Sequence, residues 1–172
     1  RAVGSPLRKT YLCTYLIIQI YPPMKFVVTS TDLLQQLQAV AKVISSKSIA
    51  AVPVLENILF ELQGNQLTLT AADQSNRQTC FVGVNNSQGE DGAFAVRSQI
   101  IIDSLKELPD QPIEVEVDIE AGKASVTYSN GHFSFLTTSA EIYPEGVSLE
   151  DNQTKAVELP AQSLLRALER TV

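Results

Sequence analysis

The feature that most limits what this chain can fold into is a pattern that occurs twice and then starts again. Residues 25–29 read as a short strand. Ser30 or Thr31 is placed to cap a helix, with Asp32 in the first turn, where the helix dipole favours a negative charge. Leu33, Leu34, Leu37, Val40, Ala41 and Ile44 form one apolar stripe at helical spacing. After a loop over 45–53 come three strands, at 58–63, 66–71 and 76–85, the first two joined by the two-residue turn Gly64-Asn65. The same order returns. A strand over 93–96 leads to a helix over 98–108 stopped by Pro109, then to an alternating strand over 113–120. Strands over 123–129 and 132–138 follow, joined by Asn130-Gly131, a strong hairpin signal. A third copy opens with a strand over 156–159 and a helix over 161–170. The opening strands recur about every 65 residues, a supersecondary period rather than that of a short solenoid. Each helix has to bury its stripe on a sheet. The pattern therefore predicts an α+β fold of two strand-helix-three-strand repeats, each helix on its own repeat's antiparallel sheet, with the helices on one face.

Composition narrows the chemistry. With 172 residues, 44% hydrophobic and 19% charged, the chain can build a sizeable core without a disulfide or metal staple. Its one histidine, His132, has no second histidine to share a metal site, and Cys13 and Cys80 have neither metal-ligand nor disulfide-framework spacing. No apolar run approaches the roughly 20 residues of a membrane span. No glycine-rich phosphate loop occurs, and a Ser-His-Asp set around His132 has no credible third member. Asp73 ends a strand and reads as a turn former, and Cys80 reads as core. The expectation is no catalytic residues, no metal and no cofactor.

Residues 1–23 stand apart. They hold Arg1, Arg8 and Lys9 and no acid, and their apolar run over 11–21 lacks the small-residue cleavage site of a signal peptide. They read as a non-native extension upstream of a start at Met24. The helical pattern at 161–170 runs to the end of the chain without a cap, so the chain reads as a truncated fragment. Its parts are an extension (1–23), one domain (24–145), and a linker with the opening of a second domain (146–172). Pro144, Gly146, Asp151 and Asn152 mark the stretch 140–154 as the connection.

The net charge of −6 argues against nucleic acid unless the charge is segregated. It is segregated. Opposite the apolar face of the 113–120 strand stand Glu114, Glu116, Asp118 and Glu120, a solvated acidic sheet face. The first helix carries Gln35, Gln36, Gln38 and Lys42 on its polar side. The second mixes Gln99 and Lys106 with Asp103 and Glu107, and the third carries Gln162, Arg166 and Arg170 against Glu169. The helix side is neutral to weakly basic, a surface that tolerates a polyanion.

Met24-Lys25-Phe26-Val27-Val28, Leu33-Leu34-Gln35-Gln36-Leu37, Pro53-Val54-Leu55 and Asn57-Ile58-Leu59-Phe60 occur in that order. Leu67-Thr68-Leu69-Thr70-Ala71-Ala72-Asp73, Phe94-Ala95-Val96 and Phe133-Ser134-Phe135 follow. With the internal repeat, this set resembles the bacterial replicative sliding clamp, the beta subunit of DNA polymerase III, from Met24 onward. The resemblance implies the DNA-clamp fold: a head-to-tail homodimeric ring, cytoplasmic, with helices lining the hole. Such a ring encircles double-stranded DNA and tethers the replicative polymerase without doing chemistry. It implies Lys47, in the loop after the first helix, as a DNA contact, together with Arg97, Gln99 and Lys106; Lys42, on the polar side of the first helix, is a further candidate on the same surface. Gln99 stands where the family has a basic residue, and Arg97 is its nearby substitute. It implies a subunit interface on the strand of His132, Phe133 and Phe135. Polymerase and clamp loader are implied to bind between later domains. The competing classes are an α+β enzyme with an unrecognised site and a protein-interaction module that never meets DNA.

Overall fold

The computed structural model describes residues 23–44, 51–146 and 157–170. The chain enters through β1 (Met24–Thr29), whose alternation buries Met24, Phe26 and Val28. It continues into helix α1 (Ser30–Ala41). A 3-10 turn, Pro53–Glu56, leads into the meander β2 (Asn57–Gln63), β3 (Gln66–Ala72) and β4 (Arg77–Gly83). The short β5 (Asn85–Gln88) and β6 (Gly92–Arg97) precede helix α2 (Ser98–Lys106). A second meander follows, β7 (Pro112–Asp118), β8 (Lys123–Tyr128) and β9 (Gly131–Leu136), then β10 (Thr138–Ser139) and a 3-10 turn, Ala140–Ile142. Helix α3 (Ala161–Glu169) has no buried residue.

The repeats do not keep separate sheets. The first sheet runs β5-β1-β7-β8-β9 and the second β10-β6-β2-β3-β4. Each opening strand has left its own repeat: β1 pairs with β7, Phe26 opposite Val115, and β6 pairs with β2, Phe94 opposite Phe60. Each meander leaves an edge free at its first strand, and the other repeat's opening strand fills it. This corrects the expectation of one sheet per helix. The exchange makes one shared core, in which Leu33, Leu37 and Val40 of α1 and Ile101, Ile102 and Leu105 of α2 join residues of both sheets. Phe60 and Phe94 stack there with centroids 5.0 Å apart. Each such large side chain contributes about 1.5–3 kcal/mol by leaving water.

Other local expectations are also corrected. Ser30 does not cap α1; Thr29 holds that position without a side-chain bond. The Ser30 hydroxyl instead donates to Pro109 O (2.8 Å) and accepts from Gln111 N (3.1 Å), fastening the start of α1 to the chain entering β7. The strand over 76–85 is split. Val84 is buried, Asn86 takes a positive φ of 50°, and β5 crosses to pair with β1. The second hairpin turns at Ser129-Asn130 rather than Asn130-Gly131, with Tyr128 opposite Gly131. There the Gln111 side chain accepts from both the amide and the hydroxyl of Ser129, a distant bond that outweighs the local Asn-Gly preference. Gly64, by contrast, takes φ +55° in its turn as expected. The segment 140–143 is not free linker, because Tyr143 is buried at 4% exposure against the second sheet. No strand forms over 157–159, which have no partner strand among the described residues.

Candidate nucleic-acid interface

The two helices pack on each other and turn their apolar stripes into the shared core. Their opposite faces are exposed: Gln35, Gln38 and Lys42 on α1 and its end, and Gln99, Ile100, Asp103 and Lys106 on α2. The helices thus present one polar surface, and the sheets lie behind it.

Lys42 follows the last turn of α1, and Lys106 stands in the last turn of α2, where the helix dipole favours a cation. Lys42 makes no ion pair among the described residues, whereas Lys106 Nζ lies 2.9 Å from Asp103 Oδ1 on its own helix. Arg97, at the start of α2, places Nε 3.1 Å from Glu56 Oε2. Two of these three cations are therefore already neutralised by neighbours, and with Asp32 and Glu107 also exposed the described helix surface is polar but carries no net positive charge, less basic than the sequence suggested. Exposed pairs of this kind exchange easily for a phosphate, since each is worth little in water. Gln99 is exposed in the first turn of α2 and can donate or accept. Lys47 lies outside the described residues, as does the leader up to residue 22.

Behind the helices, the outer face of the first sheet carries Glu114, Glu116 and Asp118 on β7, with exposed Lys123 of β8 directly opposite Asp118. Lys25 Nζ meets Glu114 across the β1–β7 pair at 2.8 Å, and that hydrogen bond raises the lysine above its ordinary value against a smaller desolvation effect. Asp73 is the turn former its sequence suggested. It accepts from the amides of Ser75 (2.7 Å) and Asn76 (2.6 Å), and these bonds hold its carboxyl below the usual range. Cys80 is a half-buried free thiol packed on the core.

The strand expected to form a subunit interface, β9, is an edge of the first sheet among the described residues, so its outer backbone groups have no partner strand there. Its side chains divide by face. Phe135 is buried in the chain's own core, and Phe133 is half-buried against Tyr128 and Phe135, with ring centroids 6.3 and 6.1 Å away. His132 and Leu136 point outward, and Leu136 is 81% exposed. Leu136 was not singled out from sequence. Strict alternation along β9 was the available signal, since it puts an aliphatic side chain on the solvent face.

A helix pair on one side of two antiparallel sheets, with polar helices and an acidic outer sheet face, is the architecture of a DNA-clamp domain. The family model for the DNA polymerase III beta subunit, N-terminal domain, matches residues 24–148. The beta sliding clamp of Haemophilus influenzae is 31% identical over 149 residues, covering 86% of this chain and 39% of that protein. A sliding clamp structure from Pseudomonas aeruginosa, bound to griselimycin, superposes with a TM-score of 0.66 at 29% identity, covering 74% of this chain and 34% of that one. The Helicobacter pylori clamp bound to a DNA ligase peptide shares the fold, with a TM-score of 0.66 at 19% identity, covering 74% and 34%. The chain belongs to the bacterial beta sliding clamp family. It spans about two fifths of the length of the Haemophilus influenzae, Vibrio cholerae and Proteus mirabilis clamps it matches.

Proposed function

We propose that the full-length protein is a DNA polymerase processivity factor. It is a ring that encircles duplex DNA and tethers the replicative polymerase, an accessory subunit of the polymerase complex that works in the cytoplasm without catalysing a reaction. In this reading residues 24–145 are its first domain, and 146–172 lead into the next. Polymerase and clamp loader dock between later domains. The observation that supports the reading is the fold itself: two antiparallel sheets that exchange their opening strands behind one exposed, polar helix pair, the fold of the sliding clamps it matches. A helix surface whose few cations are offset by neighbouring acids holds phosphate weakly, so it lets a duplex slide. The candidate contacts are Lys42, Lys47, Arg97, Gln99 and Lys106, acting on the phosphate backbone and reading no bases. The open edge of β9, with His132, Phe133 and Leu136 at its surface and Phe135 bracing it from the core, is the candidate subunit interface.

The test is salt-dependent loading of the full-length ring on nicked circular duplex. Lys42→Ala and Lys47→Ala should each weaken association equally on all sequences and reduce the salt slope by about 0.9 per lost phosphate contact. Both should leave sedimentation as a dimer unchanged. Phe133→Ala should do the reverse, dissociating the ring. An unchanged slope in both lysine variants would assign the DNA surface elsewhere.

A further inference from the structure

The chain leaves the second sheet past an arginine that grips it from three directions. Arg77 opens β4, paired opposite Ala72, directly after the turn that Asp73 holds rigid. Its Nη1 donates to Pro144 O at 2.8 Å, and its guanidinium carbon stands 5.9 Å from the centroid of the buried Tyr143 ring. Gly146 lies so close that a Cβ there would come within 3.2 Å of Arg77 Cδ and 3.4 Å of Nε. Beside this grip opens a cleft of about 570 Å³ floored by Val52, Leu55 and Ala72. Pro144, Glu145 and Gly146 line the same cleft as Arg77.

We propose that Arg77 is a latch, a positioning residue that fixes the path by which the chain leaves the domain through Tyr143–Gly146. A planar guanidinium can lie on a ring and donate in its own plane to a carbonyl at the same time. An ammonium is a point charge and does not reproduce both. The absence of a side chain at 146 is the complementary half of the device, since a Cβ there would crowd the arginine stem at 3.2 Å and force it to shift. On the sliding-clamp reading, this path sets the direction in which the next domain follows, and that consequence rests on that reading.

The test is hydrogen exchange followed by mass spectrometry on this chain, without DNA. Arg77→Ala should raise exchange in the peptide over 140–146 at least tenfold, with β1 and β7 unchanged. Arg77→Lys should not restore protection. Gly146→Ala, which presses on the latch from the other side and leaves β4 intact, should loosen the same peptide. Unchanged exchange over 140–146, an increase spread equally over β1 and β7, or full protection in Arg77→Lys would each overturn the latch. In the full-length protein loaded on nicked circular duplex, Arg77→Ala should dissociate several-fold faster. Raised exchange with unchanged residence would overturn the consequence for the next domain. Failure of the unsubstituted protein to load at all would count against the clamp reading and leave the latch standing.

Discussion

The two sheets share one core but treat their outer faces in opposite ways. The first sheet leaves its outer face to water: Glu114, Glu116 and Asp118 on β7, Thr127 on β8, and His132, Ser134 and Leu136 on β9. The second sheet buries part of its outer face. Leu59 stands directly opposite Ala95, and both are covered by Leu55 from one 3-10 turn and Tyr143 from the other. The second sheet is thus apolar on both sides at its centre, while the first is apolar on one. A sheet solvated on one face alternates cleanly, and one covered on both reads as a run, as Ile58-Leu59-Phe60 does. The difference divides the work. The open face is free to carry charged side chains, and the covered face anchors the segment Tyr143–Gly146.

The sharpest way to break this contrast is to put the same charge on each outer face. Ala95 has no exposed surface, so Ala95→Glu would bury an unpaired carboxylate and should abolish cooperative thermal unfolding. Ser134→Glu, on the open face of the first sheet, should shift stability by no more than about 0.5 kcal/mol. Comparable losses in both variants would mean that the outer faces are not different environments.

A smaller effect is expected where the first sheet is tied to a helix. Ser30→Ala removes a hydroxyl that serves both Pro109 O and Gln111 N, while the bond from Ser30 N to Gln111 O (2.9 Å) survives. Leaving two part-buried backbone groups less well satisfied should cost about 1–2 kcal/mol in urea unfolding. A neutral result would show that water replaces the hydroxyl and that the tie is incidental.

The smallest effect at neutral pH belongs to Tyr143. Its hydroxyl is buried without a hydrogen bond of good geometry. Burial pushes it above the usual tyrosine range, and the Arg77 charge and the Ala72 backbone pull it back only in part. Above about pH 10 the unfolded chain loses this proton before the folded chain does, so the folded state binds more protons and stability falls as pH rises. Tyr143→Phe should flatten that alkaline limb relative to the unsubstituted chain. At pH 7 it should change stability by less than about 1 kcal/mol, because the group removed was poorly satisfied. A larger neutral loss would show that the hydroxyl is held after all.

The elements were legible in the sequence because their signals are local. The stripe of Leu33, Leu37 and Val40 fixed the inner face of α1, the alternation from Ile113 to Val117 fixed that of β7, and Gly64-Asn65 fixed the first hairpin. Which polar side chains face outward was legible for the same reason, since side-chain direction follows from period alone; the net charge of each face was not, because it also depends on neighbours such as Glu56 and Lys123 that come from other elements. The tertiary structure decided everything that depended on residues far apart in the chain. It chose which free edge each opening strand would fill, and so made one core where the repeat suggested two. It moved the second hairpin turn by one residue through Gln111, used Ser30 as a tie instead of a cap, and claimed Phe135 for the core. It also joined Arg77 to Pro144, 67 positions away, a contact that neither residue announces. Periodicity tells a strand which face is wet; only the finished packing tells it which neighbour it will have, because strand pairing is satisfied by any free edge and settled by the core that the pairing closes.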